Sequence, residues 1–122
     1  MQTSHTPLII DITTYEDAKK QLQLLDCDPK SIPIMAPKMI LKIIKVHNVI
    51  LQDAIIIKQD MLSIGGEVAI PKDAFQLKDR CADILIIGTL KQHYELVDKL
   101  FRHYPRIKRI AEELQQTIKI LS

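Results

Sequence analysis

Apolar and polar positions along this chain change period repeatedly, from runs suited to strands to stripes suited to helices. After a loose, flexible tail over residues 1–6, Pro7-Leu8-Ile9-Ile10-Asp11-Ile12 reads as a short strand. Thr13 and Thr14 follow, with Glu16 three residues after Thr13. In that spacing a hydroxyl and a carboxylate satisfy free N–H groups at a helix start. The helix runs to about Leu25, burying Ala18, Leu22 and Leu25, and stops at Asp26-Cys27-Asp28-Pro29. A connector holding Pro33 and Pro37 leads to an Ile-rich strand over residues 38–46. Asn48 is suited to cap a second helix over residues 49–64. Gly65-Gly66 should end it, because Gly takes the left-handed C-cap conformation at little cost.

Residues 67–70 read as another short strand, and residues 71–80 as a polar loop. Residues 82–87 form a nearly continuous apolar run, expected of a strand covered on both faces. Gly88-Thr89 turns into a third helix over residues 90–104, and Pro105 suits the first turn of a fourth. The fourth helix buries a stripe of Ile107, Ile110, Ala111, Leu114, Ile118 and Leu121. Alternating strands and helices predict an α/β fold, with α+β as the alternative. The sheet should have about four strands, partly parallel because helical crossovers join parallel neighbours. Four helices would pack on it, in one domain over residues 7–122.

Composition narrows this picture. The chain is 47% hydrophobic and 26% charged, enough apolar surface for a core in a soluble protein. Only three glycines are present, too few for a many-turned all-β protein. The net charge of +2 is dispersed, and no basic run is interleaved with aromatics, so no nucleic-acid partner is expected. Cys27 and Cys81 share no metal-type spacing; two buried reduced thiols are the main reading, a disulfide the other. There is no signal-peptide pattern and no apolar run near the ~20 residues of a membrane span, which implies a cytoplasmic protein away from membranes.

The chemistry-bearing patterns are few. The chain has no Gly-rich phosphate loop, no nucleophile elbow and no His pair at metal spacing, and His5, His47, His93 and His103 are scattered. No cofactor, metal or catalytic residue is expected. Lys58 falls inside the apolar arc of the second helix, between Ile50, Ala54, Ile57, Met61 and Ile64 and the flanking Leu51, Ile55 and Leu62. Its ammonium must snorkel at the arc's edge or reach an anion or a partner carboxylate. Gly88-Thr89 ends an apolar strand where a helix begins, so Thr89 either caps that helix or helps form an anion site with Gln92 one turn in. His93 sits on an apolar stripe and reads as a partly buried structural histidine. The loop with Lys72, Asp73, Lys78, Asp79 and Arg80 is either solvated or a lid.

One stretch carries a family resemblance. The run Ala54-Ile55-Ile56-Ile57-Lys58-Gln59-Asp60-Met61-Leu62-Ser63-Ile64-Gly65-Gly66-Glu67-Val68-Ala69 resembles a segment that precedes the catalytic barrel in a subset of bacterial dihydropteroate synthases. Ile34-Met35-Ala36-Pro37-Lys38 fits the same segment. So does Ala82-Asp83-Ile84-Leu85-Ile86-Ile87-Gly88-Thr89, with Gln92, Leu96, Lys99 and Leu100 after it. The likeness runs from about Ile32 to the end, and more weakly over the start, and departs at Tyr104-Pro105, where the family pattern has a Pro-Phe-Gly-like turn.

Such synthases join a pterin pyrophosphate to para-aminobenzoate in folate synthesis, on a TIM barrel of about 250 residues. This chain is too short for one, and it lacks the family's Asn-Val-Thr-Pro-Asp-Ser-Phe substrate loop and its later basic motif. The resemblance therefore implies a non-catalytic accessory domain. It would dock to a separate synthase barrel, or bind a small anionic ligand through Lys58, Gln59, Gly88, Thr89 and Gln92. The alternatives are a free-standing anion-binding module unrelated to folate, and an interaction protein that forms a homodimer.

Overall fold

The structure, a computed structural model, describes residues 4–121, and side chains through Ile120. In chain order it contains helix α1 (Tyr15–Leu24), the short helix α2 (Ile32–Met35), a 3-10 turn (Ala36–Lys38) and strand β1 (Leu41–Ile50). There follow α3 (Leu51–Ile64), β2 (Glu67–Ala69), β3 (Cys81–Thr89), α4 (Leu90–Leu100) and α5 (Pro105–Leu121). The described residues thus hold five helices and one three-stranded sheet, an α+β fold.

The sheet order is β1-β3-β2 and both pairings are antiparallel. The expected four-stranded, partly parallel sheet is corrected on both counts. The helix α3 does carry the chain between two strands of one direction, β1 and β2. The later strand β3 then enters between them, running the other way, so no parallel pair is in contact. The expected strand at residues 7–12 does not form either; this stretch has no regular structure, and Leu8, Ile9 and Ile10 are 79%, 98% and 55% exposed. Its residue pattern suits a strand, but the stretch takes no strand partner.

Local chemistry accounts for the helix ends. Thr14, rather than Thr13, is the N-cap of α1, its hydroxyl accepting from the Asp17 N–H. Ala18 and Leu22 are buried, whereas Leu25 lies beyond the last turn and is 75% exposed. Gly65 ends α3 with φ +99°, a left-handed conformation that costs glycine little. Asn48 caps nothing. It sits in an irregularity of β1 with φ +54°, which Asn tolerates better than most residues, and β1 runs on to Ile50. The helix α3 begins at Leu51 without a side-chain cap, its first two N–H groups donating to the carbonyls of Arg80 and Lys78 at 2.8 and 3.1 Å. The loop at residues 71–80 is therefore tied down at its end by α3.

One face of the sheet is covered. Ile44, Val68, Ile84 and Ile86 turn inward to Ala54, Ile57 and Met61 of α3 and to Leu90, Leu96, Val97 and Leu100 of α4. The helix α5 packs on α4 through Ile107, Ala111, Leu114 and Ile118, with Ile110 half-buried. The anticipated position Leu121 lies outside the described side chains. A smaller cluster of Ala18, Leu22, Ile32 and Ala36 holds α1 against the α2 region.

The opposite face of the sheet is open, which corrects the expectation of a strand covered on both sides. Leu41 and Ile43 are 61% and 59% exposed and Leu85 is 37% exposed, with Ile87 half-buried beside them. Ile43 lies opposite Ile87, and Lys45 opposite Leu85, so the open face has an apolar centre with charges at its margin. Both thiols are free, and Cys81 is exposed at the start of β3 rather than buried. Among the described residues, no helix is long and apolar enough to cross a membrane.

Candidate functional site

The five residues singled out from the sequence fall in three places. Lys58 reaches outward from α3 to β2, its Nζ donating to Glu67 Oε1 and to the Val68 carbonyl, each at 2.7 Å. The partner carboxylate anticipated for it is thus Glu67. Hydrogen bonds from Lys58 and from the Val68 N–H hold the Glu67 carboxyl below the usual range. Gln59 points elsewhere, into a shallow concavity with Gln52, Ile55, Ile56, Phe75 and Lys78 under the 71–80 loop.

Gly88, Thr89 and Gln92 do meet, at the junction of β3 and α4. The Thr89 N–H donates to Gln92 Oε1 at 2.9 Å and the Gln92 N–H donates to Thr89 Oγ1 at 3.2 Å, a reciprocal cap. The Leu90 N–H donates to the Ile40 carbonyl at 2.8 Å. Three N–H groups on which an anion site would draw are engaged by the protein itself. Lys38, Lys91 and Glu95 surround the junction, and Lys91 pairs with Glu95 at 2.8 Å. Gly88 is small because it must be: a Cβ there would lie 2.5 Å from Met61 Cε and 2.9 Å from Gln92 Oε1.

His93 lies one position beyond Gln92 and is 1% exposed, more deeply buried than the partly buried structural histidine expected. Its Nε2–H donates to the Lys42 carbonyl at 2.8 Å, tying α4 to β1. Burial pushes its pKa below the ordinary 6.5, a fall only partly offset by the Lys42 and Gly88 backbone, so the ring is neutral at neutral pH.

The most developed polar cluster was not anticipated. Asp53 in the first turn of α3 is fully buried, and its carboxylate accepts from Arg106 Nε at 2.5 Å and Arg106 Nη2 at 2.8 Å. The Tyr104 hydroxyl donates to the same carboxylate, and the guanidinium stacks 5.2 Å from the Tyr104 ring centre. Burial alone would raise the Asp53 pKa; the Arg106 and Tyr104 hydrogen bonds and the guanidinium charge outweigh it and hold the carboxyl below 3.8. Burial and the neighbouring carboxylate raise the Tyr104 pKa, so the phenol stays protonated. A carboxylate so committed is a poor proton acceptor; its work is to clamp the start of α3 to the start of α5. A cleft of about 320 Å³ opens beside it, lined also by His47, Asn48, Arg109 and Glu113. One sequence signal pointed here: Asp53 is four residues before Ile57 and eight before Met61, on the buried stripe, where a charge requires a partner.

Other polar links join α3 to α4 and to the turn that follows it. His103 Nε2 lies 2.8 Å from Asp60 Oδ2, and Lys99 Nζ donates to Ser63 Oγ at 2.8 Å. No group of three or more His, Cys, Asp or Glu side chains among the described residues is placed to hold a metal ion.

This chain is similar to part of a bifunctional dihydropteroate synthase/dihydropteroate reductase from Helicobacter pylori. The two share 29% identity over 77 residues, which is 63% of this chain and 20% of the synthase/reductase. The chain thus spans one fifth of that relative's length. No protein-family model matches the chain, and no solved structure matches it. The likeness to the synthase/reductase agrees with the resemblance carried by the residues around Lys58 and Gly66.

Proposed function

We propose that this chain is an accessory domain of the dihydropteroate synthase system, without catalysis of its own, that docks onto a synthase barrel through the open face of its sheet. The observation that carries this reading is the partial likeness to the synthase/reductase: 77 matched residues in a protein five times longer than the matched part. The open face supplies the means. Leu41, Ile43 and Leu85 form an exposed apolar centre flanked by Lys45, Asp83 and Glu67, and apolar patches with polar rims suit protein contacts. The polar clusters support the same reading from the other side. Asp53, Lys58 and Thr89 are each hydrogen-bonded to partners within the chain.

The test is titration of the purified chain against a purified dihydropteroate synthase barrel, read by calorimetry. Binding is expected, with Ile43→Lys and Leu85→Lys each weakening it by roughly tenfold or more while the fold is kept. Absence of binding to any barrel, or binding indifferent to both substitutions, would overturn the reading.

A further inference from the structure

Two features of the chain are each incomplete and fit one another. Residues 7–12 have a strand's composition, with Leu8, Ile10 and Ile12 at alternate positions, yet they take no strand partner. The sheet, for its part, ends on β1, whose ten residues pair with β3 on one side only. A long edge strand with no neighbour is a template for another strand.

We propose that two copies of this chain exchange residues 7–12, each copy's segment adding as a fourth strand to the outer edge of the other's β1. The base of the segment is already placed for this. Ile12 packs on the core, and Lys42 Nζ of β1 donates to the Thr13 carbonyl at 3.1 Å. The segment therefore leaves the domain beside β1, and six extended residues reach ~20 Å, about the length of six β1 residues. Within one copy the segment remains unpaired, although its base lies beside β1. A second copy offers the same edge, and a two-fold axis closes the exchange so that neither edge is left over.

Side-chain alternation favours this pairing. In the added strand Leu8 and Ile10 share the helix-covered side of the sheet. Ile9 falls on the open side, continuing the apolar row of Leu41 and Ile43. Pro7 at the start lacks an N–H and suits the outermost strand of the enlarged sheet. The exchange is independent of barrel docking, since it uses the strand edge rather than the sheet face.

The experiment is light scattering over a concentration series on the whole chain, together with Ile9→Pro and Ile10→Asp. Both positions are exposed in the single copy, so both variants retain the fold. The expected result is a particle of twice the chain's mass, with each substitution raising the dissociation constant by roughly tenfold or more. Hydrogen exchange at β1 amides should quicken in both variants as the added strand is lost. A whole chain that stays monomeric to millimolar concentration overturns the proposal. So does a dimer that both variants form as tightly as the parent, which would place the contact elsewhere. Protection of residues 7–12 in a monomer would also overturn it, by assigning the edge to the chain's own segment.

Discussion

Asp53 shows how much one side chain is asked to do. It is the only buried carboxylate among the described residues, and it holds the first turn of α3 to Tyr104 and Arg106 at the start of α5. Asp53→Ala removes the acceptor from both and opens a void under the cleft, so we expect a loss of about 2–4 kcal/mol in a urea-unfolding curve. Gly88 is constrained by space. Gly88→Ala puts a methyl group against Met61 Cε and Gln92 Oε1. Because Gln92 Oε1 also accepts from the Thr89 N–H, the methyl cannot be accommodated without disturbing the cap. A cost of about 1–3 kcal/mol is expected, read from the same kind of curve. The stripe position of Asp53 signals a need for a partner but not which one, since its partners lie more than 50 residues away, and the atoms crowding Gly88 come from α3 and α4.

At the scale of elements, the caps were the most legible features. Thr89 with Gln92, Gly65 after α3, and Pro105 opening α5 all work as their residue types dictate, because a cap is chemistry within four residues. Thr89→Ala should cost about 1 kcal/mol and loosen the first turn of α4, which hydrogen exchange at Gln92 would report. Asn48 is the counter-example. Its side chain suits a cap, but β1 runs on past it to pair Val49 with Ala82 and Ile50 with Cys81, and the Asn48 N–H turns to Asp83 Oδ1 at 3.2 Å. Two further rungs of sheet outweigh a cap worth about 1 kcal/mol. Lys58 is legible in part: its place in the apolar arc required it either to snorkel or to find a partner, and only the return of β2 along α3 supplied Glu67 and the Val68 carbonyl. Lys58→Met keeps the buried stem but loses the ammonium, so it should retain more stability than Lys58→Ala by thermal melting.

For the molecule as a whole, acid should act in two stages. His93 is held below 6.5, so the unfolded chain takes up its proton first, and stability falls as the pH drops from about 6.5 toward the folded value. Asp53 is held below 3.8, and its contribution, present at neutral pH, is lost as the pH falls through its folded value. Urea midpoints measured from about pH 8 to pH 3 should show both stages, and His93→Gln should abolish the upper one alone. The sequence by itself determined where α3 ends, where α4 and α5 begin, and that the apolar stripes of α4 and α5 face a core. These follow from periodicity and from hydrogen-bonding groups close along the chain. Only the tertiary structure decided the strand order, the antiparallel insertion of β3, the open sheet face, the unpaired segment at residues 7–12 and the Asp53 clamp. Each of those depends on which distant surfaces meet, and burial free energy rewards apolar contact without recording which partner provides it.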